Sequence, residues 1–239
     1  MPGALQPAYA GFGAAGQLQQ FQQYLGGGGT FDPATSLFVV WLFPNDVFYT
    51  SATGQLPGQV PGSPGGANLV ENGIANIAAI IQTLAAAGAQ HFLVPNMPDL
   101  GSTPEFSGDV EASQLSLLTT LFNVNLASTL TLLDQVLAAE IVQFDTASLF
   151  AQIQANPGAF GFENVTDSCV ANLASGGCNP GNWDKWAFWD GVHPTTAAHM
   201  ALAAQFRASV PEPASLVLVA IALLSLLWMR LQTRAGDDC

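Results

Sequence analysis

An aspartate and a histidine stand three residues apart near the C-terminal end of the chain, in the stretch FWDGVHPT at positions 188–195. At this spacing Asp190 can accept the Nδ1–H of the His193 imidazole, which fixes the tautomer and leaves Nε2 free to act as a general base. Pro194 is typical of a first helical position, so we expect His193 at a helix N-terminus, where the dipole disfavours the imidazolium. The residues alone leave a second interpretation open, in which Asp190 caps a helix and His193 is an exposed loop residue.

Three short apolar runs predict the strands that would position such a pair. SLFVVWLF at 36–43 is continuous, rich in β-branched and aromatic residues and bounded by turn signals, which is typical of a strand buried on both faces of a parallel sheet. HFLVP at 91–95 repeats this pattern, and EIVQFDT at 140–146 contains a third strand. The first run leads directly into Pro44-Asn45-Asp46, which places an amide side chain at a strand end.

Helical segments alternate with these strands. Helical periodicity covers 16–25, 67–89 and about 110–139, the last as one long helix or two abutting ones, and an Ala-rich helix follows Pro194. Residues from about 151 to 186 are rich in loop signals. The alternation predicts an α/β sandwich with a parallel sheet, whose active site lies at the carboxyl ends of the strands. The loops there hold Asn45, residues 95–98, and the Asp190–His193 pair.

The charge of the chain argues against nucleic-acid binding. The 239 residues include 17 acidic and 4 basic ones, for a formal net charge of −13, and such a chain repels phosphate backbones. Charged residues make up only 9% and hydrophobic residues 49%. This composition suits an exported α/β domain of ordinary size with an apolar appendage rather than a cytoplasmic protein.

Two of the three cysteines flank a Gly/Asn/Ser-rich loop. Cys169 and Cys178 could close a local disulfide in an oxidising compartment, whereas Cys239 is the last residue. Two unrelated thiols are the alternative, and metal ligation would need more partners nearby.

The remaining candidates for a functional role are aromatic or isolated histidines. We expect His91, at the start of a strand, to be structural, and His199 to face either the core or solvent. Trp183, Trp186 and Trp189 either line a binding pocket or pack under the long loop. The spacing of histidines and carboxylates matches no metal site, and the sequence contains no Gly-rich phosphate loop, so we expect no cofactor.

The C-terminal tail combines VPEPAS, the apolar run LVLVAIALLSLLWM and the basic end RLQTR. Arg230 and Arg234 would hold that end in the cytoplasm and leave the body of the protein outside. These three elements, at about 210–234, resemble the bacterial PEP-CTERM sorting segment. The resemblance implies export, transient membrane anchoring and removal by an exosortase-type enzyme, with release to the cell surface or the extracellular matrix.

Three blocks in the body of the chain resemble the GDSL/SGNH hydrolases. WDGVHPTTAAH is similar to their final block, LFVVWLFPNDVF to the block with the oxyanion-hole asparagine, and VPNMPDLGSTPEF to the following strand and loop of the lecithinase/thermolabile-haemolysin branch. The blocks occur in the order found in the family and cover about 17–208. The resemblance implies that His193 is the base, that Asp190 orients it, and that the Asn45 amide donates to the oxyanion. Phe43-Pro44 stands where the family usually has Gly-x.

The Gly-Asp-Ser-Leu block that supplies the nucleophile in this family is absent from the sequence. Ser36, Ser102 and Ser168 lack its strand–turn context, and Ser107-Gly108-Asp109 has the residue types in another order. Residues 1–16 have neither the basic nor the apolar region of a signal peptide. We therefore expect an N-terminally truncated product or a misplaced start codon, which would account for both absences.

The resemblance implies a three-layer α/β/α sandwich with a parallel sheet, flavodoxin-like in layout, over residues 1–209 and without its first strand. A sorting segment would follow at 210–239, with a transmembrane helix at 214–229. The full-length parent would hydrolyse carboxylic esters, including lipids, through a serine and without a cofactor. The chain as given is expected to have little or no esterase activity. The alternative is a non-catalytic, surface-anchored binding or matrix module.

Overall fold

The structure, a computed structural model, describes residues 13–210 and 223–225. The predicted helix at 214–229 lies outside the described residues except for 223–225, which are helical. The α-helices are α1 (Ala14–Gly26), α2 (Pro44–Thr53), α3 (Leu69–Ala86), α4 (Ala112–Val136), α5 (Thr146–Ala155) and α6 (Thr196–Ser209). The strands are β1 (Leu37–Val39), β2 (His91–Pro95), β3 (Glu140–Phe144), β4 (Asn164–Ser168) and β5 (Trp186–Phe188).

The main sheet has three parallel strands in the order β1-β2-β3, which confirms the predicted α/β fold with a parallel sheet. The central strand β2 is buried at four of its five positions, as expected for a strand covered on both faces. Because the strands are parallel, their carboxyl ends meet at one edge of the sheet.

The first strand is shorter than the sequence predicted. The apolar run covers 36–43, but β1 includes only Leu37–Val39. Phe43 has a positive φ of 106°, and α2 begins at Pro44, so the chain leaves the sheet well before the apolar run ends. Leu37 and Val39 point to the same face of β1 and are 41% and 54% exposed, so the predicted burial on both faces is wrong for this strand. Among the described residues β1 pairs only with β2. One side of β1 is therefore an open sheet edge in the described part of the chain.

Two long helices, α3 and α4, cover the sheet. The Asn68 side chain accepts the N–H of Glu71 at the start of α3, and Glu71 accepts the N–H of Ala67 in return. The predicted segment at 110–139 contains one continuous helix, α4. By length and composition both helices could span a bilayer, but each buries one side in the core, and core helices meet the same criterion.

A second core lies around the parallel pair β4 and β5. This region was expected to be mostly loop, but α5 extends to Ala155 and β4 pairs with β5. The half-polar sequence of β4, NVTDS, lacks the apolar run that identified the other strands. The core residues are Leu149, Phe150, Ile153, Phe162, Val165, Ala187, Phe188, Ala198 and Leu202.

Candidate active site

Asp190 and His193 lie on one tight turn directly after β5. The Asp190 Oδ1 atom accepts the backbone N–H groups of Val192 at 2.9 Å and His193 at 2.7 Å. The N–H of Trp189 donates to the His193 carbonyl at 2.8 Å and closes the turn. Asp190 is therefore fixed to the backbone of the residue whose ring it contacts.

The structure brings the two side chains into the arrangement of a base and its orienting carboxylate. Nδ1 of His193 is 2.9 Å from Oδ2 of Asp190 and 3.1 Å from Oδ1. An ionised Asp190 accepts a hydrogen bond from the Nδ1–H group, which leaves Nε2 as the acceptor nitrogen. The side chains are 68% (His193) and 41% (Asp190) exposed, so the imidazole faces open space in the described structure.

Asp190 is held in its ionised form. Partial burial raises its pKa, but the hydrogen bonds from the backbone N–H groups of His193 and Val192 and the His193 side chain together outweigh burial, so the pKa of Asp190 lies below its usual value. Near neutral pH this carboxylate is an acceptor for Nδ1–H.

The last helix begins two residues later than predicted. Thr195 is the N-cap of α6, and its side chain accepts the N–H of Ala198, so the first helical residue is Thr196. Pro194 instead forms an antiparallel bridge with Phe188. The prediction of Pro194 at the first helical position, with His193 at the helix N-terminus, is therefore wrong. His193 lies two residues before the N-cap of α6, where its ring contacts Asp190.

Asn45 lies in the first turn of α2, at the carboxyl end of β1. Its side chain is exposed, and in the described part of the chain its amide forms no hydrogen bond, so both N–H donors are available to a ligand. Pro44 occupies the first helical position, where its missing N–H needs no partner. Pro44 is thus compatible with a helix that presents Asn45.

Phe43 makes the turn that leads from β1 into α2. Its φ of 106° is a conformation that favours glycine and costs a residue with a side chain roughly 1–3 kcal/mol. Its carbonyl accepts the N–H groups of Asp46 and Val47 at 2.9 and 3.1 Å. Its buried ring stacks on Phe122 and lies where a side chain at position 73 would otherwise stand. Packing therefore holds Phe43 in the conformation that a glycine would adopt without strain.

Asp46 lies beside Asn45 and has an unusual environment. Burial raises the pKa of Asp46 to about 6, because the surrounding groups do not compensate the loss of water around the carboxylate. The N-terminal position on α2 favours a negative charge there. The charge state of this strand-end turn therefore changes between pH 5 and 7.

The loop after β2 connects the two halves of the candidate site. The N–H of Glu105 donates to the Gly191 carbonyl at 2.9 Å, and the neighbouring Phe106 stacks on Phe48 of α2 with ring centroids 6.2 Å apart. Phe48 lies three residues after Asn45, on the same side of the helix. The turn of His193 and the helix of Asn45 thus contact the same loop.

Two polar side chains hold this loop against α4. Asn123 accepts the N–H of Met97 at 2.9 Å and donates to its carbonyl at 2.8 Å. Asp99 accepts the Ser116 hydroxyl at 2.8 Å and the N–H of Gly101 at 2.9 Å. The sequence did not single out these residues, because a polar side chain is recognisable as a loop anchor only once its partner is known.

Asn96, directly after β2, and Asp145, directly after β3, are hydrogen-bonded to each other. The Asn96 amide donates to Asp145 at 2.8 Å, and its oxygen accepts the N–H of Ala147 at 2.9 Å. Burial raises the pKa of Asp145, but hydrogen bonds from the Ser148 hydroxyl and N–H and from Asn96 bring it below its usual value. Both side chains have partners within the fold, which gives them a structural role.

The other two histidines contact different partners. His91 begins β2, at the sheet edge opposite the strand carboxyl ends, and pairs with Glu140 at 3.1 Å. Nδ1 of His199 lies 2.9 Å from the Thr195 carbonyl on α6. Within 13–210 and 223–225, no cluster of three His, Cys, Asp or Glu residues is arranged to hold a metal ion.

The predicted cysteine pair lies close to the Asp190 turn. Cys169 and Cys178 are joined by a disulfide with a Cα–Cα distance of 5.2 Å, and both are fully buried against Trp186. Trp183 and Trp189 are exposed and contact each other, so only Trp186 packs under the loop.

The sequence of this chain is similar to those of several known proteins. An uncharacterized protein from the trpE–trpG intergenic region of Pseudomonas putida is 34% identical over 189 residues, which is 74% of this chain and 30% of that protein. The thermolabile hemolysin of Vibrio parahaemolyticus is 25% identical over 142 residues, 54% of this chain and 34% of that protein. A GDSL esterase/lipase of Arabidopsis thaliana is 29% identical over 131 residues, 48% of this chain and 36% of that protein.

The chain spans about a third of the length of these curated relatives. The match to the GDSL-like lipases and acylhydrolases covers residues 3–206, which include β1, the loop after β2 and the Asp190–His193 turn. The chain therefore belongs to the GDSL-like lipase/acylhydrolase family.

Proposed function

We propose that this chain supplies the base, its orienting carboxylate and one oxyanion donor of a serine hydrolase that acts on carboxylic esters. His193 would take the proton from the serine hydroxyl, Asp190 would hold the imidazole, and Asn45 would donate to the tetrahedral oxyanion. The observation that carries the proposal is the 2.9 Å contact between Nδ1 of His193 and an Asp190 held ionised by backbone N–H groups.

Lipid esters are the substrates that we favour. Among the relatives are proteins named GDSL esterase/lipase and thermolabile hemolysin. The proposed reaction needs no metal or organic cofactor, because the serine, the base and the oxyanion donors carry every step.

The proposed nucleophile lies outside these 239 residues. The sequence has no Gly-Asp-Ser-Leu block, and in the described structure the His193 ring hydrogen-bonds only to Asp190. The open edge of β1 adjoins the strand end that presents Asn45. We propose that a strand with the serine at its carboxyl end pairs with this edge, which would bring the hydroxyl to the strand end where Asn45 lies. The sandwich would then have the layout of the SGNH hydrolases.

The proposed location of the protein rests on its tail. Residues 210–234 have the order of elements of a PEP-CTERM segment, so we propose export, anchoring through 214–229 with the body outside the cytoplasm, and processing by an exosortase-type enzyme. Cell fractionation tests this proposal. The protein is expected in the membrane or cell-surface fraction. A variant that ends at Ser209 is expected in the medium.

The experiment that tests the catalytic proposal begins with the DNA upstream of the Met1 codon. The longest in-frame product and the 239-residue chain are expressed side by side and assayed on p-nitrophenyl esters of increasing acyl length. We expect a Gly-Asp-Ser block in the longer product, esterase activity there, and little or none in the 239-residue chain. A longer product without that block, or one that has it and is inactive, would support the non-catalytic anchored module instead.

A further inference from the structure

Four large apolar side chains stand exposed around the disulfide loop next to His193. They are Val170, Leu173, Trp183 and Trp189, with Trp183 and Trp189 46% and 40% exposed, and we call them the apolar rim. We propose that the apolar rim inserts into the surface of an uncharged or zwitterionic lipid assembly and brings it against the Asp190–His193 turn. This inference rests on the proposed function only for the reaction that follows docking.

The members of the apolar rim adjoin one another. The rings of Trp183 and Trp189 meet edge to face, with centroids 6.4 Å apart and planes at 70°. The N–H of Val170 donates to the Trp189 carbonyl at 2.8 Å, so these residues are neighbours just beyond the ends of β4 and β5. Val170 and Leu173 lie three residues apart on a 3₁₀ turn, where such side chains stack on one side.

The loop beneath the apolar rim is fixed. The Cys169–Cys178 disulfide and Trp186 fill its interior, and the Asn182 side chain bonds to both Gly177 and Asn179 at 2.9 and 2.8 Å. The rim residues therefore stand outward on a loop whose own core is already occupied. Neighbouring exposed apolar side chains of this size mark an interaction surface.

The chemistry of the apolar rim suits the boundary of a lipid phase. Tryptophan combines a large apolar ring with one N–H donor, and it is enriched where one end of the side chain is in lipid and the other in water. Trp189 directly precedes Asp190, and the backbone N–H of Trp189 donates to the His193 carbonyl. A lipid surface that receives Trp189 therefore lies beside the exposed imidazole.

The charge of the protein selects among lipid surfaces. The chain has a net charge of −13, and Asp184 lies beside Trp183 with Lys185 as the adjacent cation. An anionic surface attracts basic segments and repels a chain of this charge. The expected occupant is therefore a zwitterionic or neutral lipid surface.

Hydrogen–deuterium exchange of the full chain, with and without phosphatidylcholine vesicles, tests the inference, because it separates the loop from the C-terminal tail. We expect exchange in peptides covering 170–189 to slow several-fold with these vesicles and much less with phosphatidylglycerol vesicles. The double variant Leu173→Ser/Trp183→Ser is expected to lose this protection. The matched control Leu117→Ser/Leu132→Ser, which changes two exposed leucines on α4, is expected to keep it.

The outcomes separate this inference from the catalytic proposal. His193→Ala is expected to keep the protection, since docking does not use the imidazole. The inference would be overturned if vesicles protect only the C-terminal tail. It would also be overturned if both double variants lose the protection of 170–189 equally. Either conclusion would hold whatever the esterase assays show. Protection of 170–189 that rises with protein concentration and ignores vesicles would assign the apolar rim to a second copy of the chain.

Discussion

The ring of Phe43 lies flat on that of Phe122, with centroids 3.8 Å apart and planes within 10° of parallel. This stack holds Phe43 at a φ of 106°, and Phe43 in turn starts the helix that presents Asn45. A Cβ atom added at Gly73 would lie 2.5 Å from the Phe43 ring. The position of Asn45 is therefore coupled to the absence of a side chain at Gly73.

Gly73→Ala is expected to lower the free energy of unfolding by about 1–3 kcal/mol, because the buried Phe43 ring has to move. In a Phe43→Gly background the same change is expected to cost less than about 1 kcal/mol, since the ring is gone and glycine tolerates the turn. Urea unfolding of the four proteins measures this coupling. Gly158→Ala, which adds a Cβ in open space, is the control. Equal costs of Gly73→Ala in both backgrounds would contradict the contact.

Asp46→Asn is expected to stabilise the fold at alkaline pH. Burial raises the pKa of Asp46 to about 6, so the wild-type fold loses stability as pH rises from about 4 through 6 and the carboxyl ionises. The variant does not lose stability in this way. Its free energy of unfolding is expected to increase relative to that of wild type by on the order of 2 kcal/mol between pH 4 and 8. Urea unfolding at several pH values measures it. An advantage for Asp46→Asn that is independent of pH would exclude a buried carboxyl.

Asp190→Asn is expected to destabilise the fold with the opposite pH dependence. The folded-state pKa of Asp190 is lowered, so its contribution to stability is present above the ordinary aspartate pKa and is lost as pH falls through the folded-state value. The difference between wild type and variant should therefore be full at pH 7 and shrink towards pH 3. Asp184→Asn, in the same loop, is the control. A difference that grows on acidification would contradict the assigned hydrogen bonds.

Asn45→Ala tests the oxyanion donor in a catalytically active longer product. Loss of one donor is expected to lower kcat by about 10²–10³-fold, or roughly 3–4 kcal/mol, with little change in KM, because the amide binds charge that develops only in the transition state. Asn125→Ala, on the exposed side of α4, is expected to leave kcat unchanged. A kcat within about threefold of wild type would show that Asn45 is not an oxyanion donor.

The pattern of apolar residues was sufficient to predict the strands of the main sheet and the helices that cover it. The strand at His91–Pro95 and the helix at Leu69–Ala86 follow directly from a buried run and from helical periodicity. The end of β1 could not be predicted, since it depends on a phenylalanine in a conformation typical of glycine. Strand β4 was missed because its half-polar sequence lacks an apolar signature, and β5 because it is only three residues long.

The candidate site was predictable where its parts are close in sequence. The Asp190–His193 contact depends on a three-residue spacing, which the sequence displays directly. The start of α6 was misplaced because Pro194 suggested a first helical position, although Thr195 is also a favourable N-cap residue. The contact between Glu105 and Gly191 joins residues far apart in the chain, and no local pattern indicates it.

The central claim is that His193 is the base of an esterase, and kcat/KM on a p-nitrophenyl ester tests it most directly. In the longest in-frame product, His193→Ala is expected to lower kcat/KM by at least about 10³-fold, whereas His199→Ala, six residues further along, is expected to leave it unchanged. An active longer product in which His193→Ala retains the wild-type kcat/KM would contradict the account.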